Sequence, residues 1–143
     1  MKPNLVFLIL FSTLLTSVVM SPAIHAQTAN NSNPDSMTEG VKKYKTHLFK
    51  ESLVYFDRVL QQDQNNKLAL QYKGLALMKQ QKYADAVTHY GNLLKKYKKD
   101  TDALNNLGIA LGNLDRHTDT IKTFYQVLDI KPNDVTALLG IGI

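Results

Sequence analysis

The chain has 143 residues, enough for one domain, and 44% of them are apolar, an ordinary share for a folded protein. Its formal charge of +5 permits an anionic partner without requiring one. It contains no cysteine, which excludes disulfides, thiol nucleophiles, Cys-ligated zinc and lipid attachment through an N-terminal Cys.

The first 26 residues read as a secretory signal. Lys2 gives a positive start, Leu5 to Met20 is almost wholly apolar, and the small residues Ser21, Ala23 and Ala26 follow. Cleavage after Ala23 would put Ser21 and Ala23 at the two recognition positions. Cleavage after Ala26 leaves Ile24 at the outer one but sets Pro22 just behind the apolar core, and it is slightly preferred. The apolar run of about sixteen residues is short of the ~20 that a spanning helix needs, which favours a cleaved signal over an anchor. Its removal takes one of 17 basic residues and no acid, leaving 16 against 12. The expected location is therefore outside the cytoplasm, in a bacterial periplasm or secreted. Residues 27–32 are a polar spacer, and the sequon at Asn30 matters only in a eukaryotic secretory pathway.

From Asn33 the pattern is helical. Leu104, Leu107, Gly108 and Leu111 share one helix face, and Ile121, Phe124, Val127 and Leu128 share a second. Asp115, Arg116 and His117 form a short polar break that forces the two helices antiparallel, and Pro132 ends the second. This unit recurs. At an offset of 34 residues Gly108 falls on Gly74 and Gly40, Phe124 on Tyr90 and Phe56, and Val127 on Leu93 and Val59. The units are 33–66, 67–100 and 101–134, and 135–143 begins a fourth.

At these residues the chain resembles the tetratricopeptide repeat family. The third unit matches best, the second has Lys73 for an apolar residue and Lys98 for the proline, and the first has a polar first helix suited to an N-terminal cap. The resemblance implies an all-α fold, an α-solenoid of antiparallel helix pairs wound into a right-handed superhelix. It further implies that the glycines let the two helices of a unit lie close and that the aromatics fill the wedge between units. Thr120 and His117 are bulkier or more polar than the family favours, so the third hairpin is expected to be looser than the second.

Catalytic residues, metal ligands and cofactors are not expected. His47, His89 and His117 fall at different places in their units and read as surface or turn residues, and no nucleophile or phosphate motif is present. The run Lys95, Lys96, Tyr97, Lys98, Lys99 reads as a solvated helix end. Nucleic acid is disfavoured there, and an anionic membrane surface slightly less so. The family resemblance puts the apolar ladder Val41, Leu75, Ile109 and Ile143 on the concave groove. With it come Met37, Tyr44, Gln71, Met78 and Asn105, and Lys45 and Lys79 at the edge. The ligand so implied is a protein or peptide with apolar and, beside them, acidic residues. An equally weighted alternative is that the chain's own N-terminal segment or close helix contacts fill this surface. The family's Lys, Asn and Arg clamp for a terminal carboxylate is not reproduced, since Met37 and Val41 stand at two of its places.

Two functions are consistent with these features. One is a non-enzymatic, exported interaction module or scaffold acting in envelope assembly or secretion. The other is the N-terminal repeat region of a longer enzyme or envelope machine. The apolar residues of 135–143 suggest a chain that continues or, as the lesser alternative, a surface for self-association.

Overall fold

Residues 33–142 are described by a computed structural model, with side chains from residue 35. The signal, its cleavage site, the spacer, the sequon and Ile143 lie outside them. Seven helices follow in order: α1 (Asn33–Lys45), α2 (Phe49–Gln62), α3 (Lys67–Lys79), α4 (Tyr83–Lys96), α5 (Thr101–Gly112), α6 (His117–Ile130) and α7 (Val135–Ile141). Each packs on the next. The odd-numbered helices also touch one another in succession, whereas the even-numbered ones do not. The odd helices therefore form the closer, inner layer of a stack of antiparallel hairpins, an all-α solenoid.

Short-range chemistry sets the hairpin ends. α1–α2, α3–α4 and α5–α6 are joined through His47, Gln81 and Asp115, all with φ near +60°. In the second hairpin the Gln81 amide donates to Met78 O at 2.9 Å and the Lys82 amide to Leu77 O at 3.0 Å. The same pair of bonds recurs at His47 and Asp115. This is a Schellman closure with an ordinary side chain at the position that glycine usually takes. The turns between hairpins repeat as well. Asn66, Asp100 and Asp134 each accept, through a side-chain oxygen, the amide of the alanine three residues on, at 3.0–3.1 Å. Those alanines, Ala69, Ala103 and Ala137, are fully buried, so each cap both starts an inner helix and seats it on its neighbour.

Packing between the layers centres on three aromatics. Phe56, Tyr90 and Phe124 are buried. Each lies across the glycine of its own unit: a Cβ on Gly40, Gly74 or Gly108 would stand 2.5–2.7 Å from the ring. The ring is thus the surface on which the two helices of a hairpin meet, as well as the wedge against the next unit. On the far side Phe56 stacks on Tyr72 at 5.5 Å, and Phe124 lies against Gly140. The third hairpin is not the looser one. Thr120 is buried, its hydroxyl donates to Arg116 O at 3.0 Å, and α5 and α6 pack over more of their length than α3 and α4. Its polar group is satisfied inside its own helix, so its bulk fills space beside Gly112 instead of opening the pair. Lys73, out of place in an apolar column, is half-buried and bonds Asp57 of α2 at 2.6 Å, joining the first and second units.

Candidate functional site

The inner layer holds a cleft of about 480 Å³. Its walls come from Leu68, Gln71, Tyr72 and Leu75 of α3 and from Asp102, Ala103, Asn105, Asn106 and Ile109 of α5. Thr136 of α7 closes one end, and Tyr90 reaches it from α4. Helical spacing explains the set, because residues 68, 71, 72 and 75 recur at three- and four-residue intervals and 102, 105, 106 and 109 repeat them 34 residues later. The volume falls in the range of small-ligand and peptide side-chain sites.

Of the ten residues placed on the groove by resemblance, Gln71, Leu75, Asn105 and Ile109 converge here. The other six lie elsewhere. Met37 and Val41 are half-buried on α1, and Met78 packs against the buried core around Leu77 and Tyr90. Tyr44 is held edge-on by Phe49 at 5.3 Å and Tyr72 at 5.4 Å, and burial pushes its phenol pKa up. Lys45 and Lys79 are exposed at helix ends, outside the cleft lining. The charged side chain in the lining is Asp102. The expected acidic partner therefore has no counter-charge in the cleft, because the lysines that suggested it end where α1 and α3 end.

Sequence reading missed Leu68, Tyr72, Tyr90, Asp102, Ala103, Asn106 and Thr136. The signal was available in part: Leu68, Asp102 and Thr136 are one column at 34-residue spacing, and Tyr72 and Asn106 are another. Tyr90 was assigned only to the wedge.

Two polar atoms at the cleft are buried without a hydrogen-bond partner among the described residues, the Tyr90 hydroxyl and Asn105 Oδ1. The Tyr90 side chain is 1% exposed, and burial drives its phenol pKa far above the usual range. The orientation of Asn105 follows from its neighbour. Asp134 Oδ1, already accepting the Ala137 amide, can only accept, so Asn105 must turn its NH2 to it, at 3.1 Å. Its carbonyl oxygen is thereby committed as an acceptor elsewhere.

His89, Asp100 and Tyr97 are held in contacts away from the cleft lining. His89 is not a surface residue: it is half-buried on α4, and its Nε2 meets Leu70 O of α3 at 2.7 Å, so that nitrogen carries the proton. Burial lowers its pKa, more than the Leu70 bond raises it, and nearby Lys73 lowers it further. Burial tends to raise the Asp100 carboxyl, but the Ala103 amide and the Lys67 ammonium at 2.9 Å outweigh it and hold it below the usual range. In the lysine run Tyr97 is not a free aromatic. Its hydroxyl donates to Asn65 O at 3.2 Å, and Lys67 and Lys96 lie over its ring, at 5.5 and 5.4 Å.

No family model matches the chain, and no curated protein matches it by sequence. Solved structures do match by fold. One is the first tetratricopeptide domain of Spaghetti (RPAP3) bound to the HSP90 peptide SRMEEVD, with a TM-score of 0.72 and 19% identity over 78% of this chain and 88% of that one. MamA from Desulfovibrio magneticus has a TM-score of 0.74 and 20% identity over 82% of this chain and 66% of its own. The Arabidopsis OM64 tetratricopeptide domain has a TM-score of 0.71 and 16% identity, covering 77% and 91%. The chain has the tetratricopeptide repeat fold.

Proposed function

We propose that the protein is a non-enzymatic interaction module that holds a peptide segment in the cleft between α3 and α5. The observation that carries this reading is the cleft itself, where Leu68, Leu75 and Ile109 offer apolar surface among the amides of Gln71, Asn105 and Asn106. Apolar side chains flanked by amides suit a polypeptide, which brings both side chains and backbone donors and acceptors. The fold neighbours support it, since one of them holds a chaperone-derived peptide. The N-terminal sequence of Lys2 and the apolar run behind it supports export, and with it a scaffold role in envelope assembly or secretion.

The test is selection of peptides from a random library on the immobilised full chain, followed by affinity measurement with wild type and Leu75→Glu. Leu75 is half-exposed, so the substitution leaves helical circular dichroism intact while placing a charge on the apolar wall. Affinity should fall at least ~10-fold, as for an unpaired charge set in an apolar contact. Unchanged affinity would place the binding surface elsewhere.

A further inference from the structure

The amides of Gln71 and Asn106 can donate or accept, so the charge of the cleft is set by its one ionised lining residue among the described residues, Asp102. Asn105 Oδ1 is fixed as an acceptor by the bond its NH2 makes to Asp134, it is buried, and no described residue donates to it. Asp102, exposed one helical turn before it, adds a carboxylate. No Lys, Arg or His lines the cleft among the described residues. Tyr90 supplies a hydroxyl that can give or take, buried and without a partner among the described residues. Burying such a group without a partner costs stability, and the equivalent positions, Phe56 and Phe124, do without the oxygen. A hydroxyl standing at that cost on the one of the three equivalent rings that lines the cleft points to the occupant of the cleft as its partner.

We propose that the cleft selects a peptide segment in which a cationic side chain, Lys or Arg, stands beside an aliphatic one. The cation meets the exposed Asp102 and, as the lining side chains shift to admit it, Asn105 Oδ1; the aliphatic side chain meets Leu68, Leu75 and Ile109, and a backbone or side-chain group of the same segment reaches the Tyr90 hydroxyl in the same way. This rests on the peptide-binding reading above and adds the sign of the charge. The chain's excess of basic residues works against a cationic ligand at long range. At physiological salt that repulsion is screened beyond ~8 Å, so the acceptors inside the cleft decide.

The experiment compares two fluorescent peptide mixtures on the full chain by anisotropy. They share randomised flanks and differ only in a central Leu-Arg-Leu or Leu-Glu-Leu. The Arg mixture should bind ~10-fold tighter or more, the scale of a charge-assisted hydrogen bond. Asp102→Asn, at an exposed position, should reduce that preference several-fold without changing the thermal midpoint by more than the loss of one first-turn acid. Asn105→Leu should reduce it further. Tyr90→Phe separates a ligand role from a packing role, since it should raise the thermal midpoint while weakening the Arg mixture ~3-fold. Equal binding of the two mixtures, or preference for Glu, overturns the charge assignment and leaves the peptide cleft standing. Indifference of binding to Asp102→Asn and Tyr90→Phe also overturns it. Failure of both mixtures to bind removes the peptide cleft itself.

Discussion

Gly91 and Gly108 both lie inside helices, and the structure assigns opposite signs to the same substitution at the two sites. A Cβ on Gly91 of α4 would meet nothing within 4 Å. A Cβ on Gly108 of α5 would stand 2.7 Å from Phe124 Cε1 and 2.8 Å from Cζ. Phe124 is 3% exposed and is backed by Gly140, so its ring has little room to yield. Alanine improves helix propensity at each site by ~0.8–1 kcal/mol. At Gly91 that is the whole effect. At Gly108 overpacking adds ~1–3 kcal/mol in the other direction, leaving a net loss of up to ~2 kcal/mol. The two variants should therefore differ by ~1–3 kcal/mol, and propensity cancels from the difference. Urea unfolding followed by circular dichroism measures this directly, and each 1 kcal/mol appears as a shift of ~4–8 °C in thermal midpoint for a domain of this size. If Gly108→Ala stabilised the chain as Gly91→Ala does, the reasoning that the ring seats on bare glycine would be wrong.

Acid should weaken the α3–α4 contact through His89. Its pKa is lowered in the folded state from the ordinary value of 6.5, with Lys73 and Asp57 the charged groups that face it. Between the folded value and 6.5 the unfolded chain binds more protons, so the stability His89 contributes is complete above pH 6.5 and is lost as pH falls below it. Unfolding midpoints of wild type should therefore decline more steeply from pH 7 to pH 5 than those of His89→Gln, and parallel profiles would contradict this. At the Schellman turns Gln81→Gly should stabilise by ~0.5–1 kcal/mol, because it relieves the ~1–2 kcal/mol that a left-handed conformation costs a Gln but adds the ~0.5–1 kcal/mol of entropy that glycine loses on folding. The same change at Asp115, whose short polar side chain tolerates that conformation better, should gain less in the same thermal melts.

Part of the fold was legible because it is written in residue types that recur. The glycine and aromatic columns required helices packed face to face, and their spacing required one unit to stack on the next. The capping series Asn66, Asp100 and Asp134 and the left-handed series His47, Gln81 and Asp115 recur just as regularly, yet they mix residue types and escape a search for like on like. The groove was legible only in its middle. Leu75 and Ile109 stand as apolar residues just beyond the glycines and reach the cleft, whereas Tyr44 and Met78 carry the same kind of side chain and are consumed in packing. His89 shows the reverse: nothing in its neighbours along the chain distinguishes it from His117, and only the approach of the Leu70 carbonyl from α3 makes it an interior residue.

The sequence by itself determined the helical hairpin and its repetition, because helix periodicity, tight polar breaks and a glycine opposite an aromatic are local properties that each unit carries alone. Which exposed positions share one cleft, and what charge that cleft presents, was decided by the tertiary structure. Stacking sets α3 against α5 with α1 outside the cleft lining, and the Asp134 cap of the next helix turns the Asn105 carboxamide so that its NH2 meets the Asp134 carboxylate. Such an orientation depends on atoms 29 residues apart meeting at 3.1 Å, a condition that periodicity along the chain does not encode.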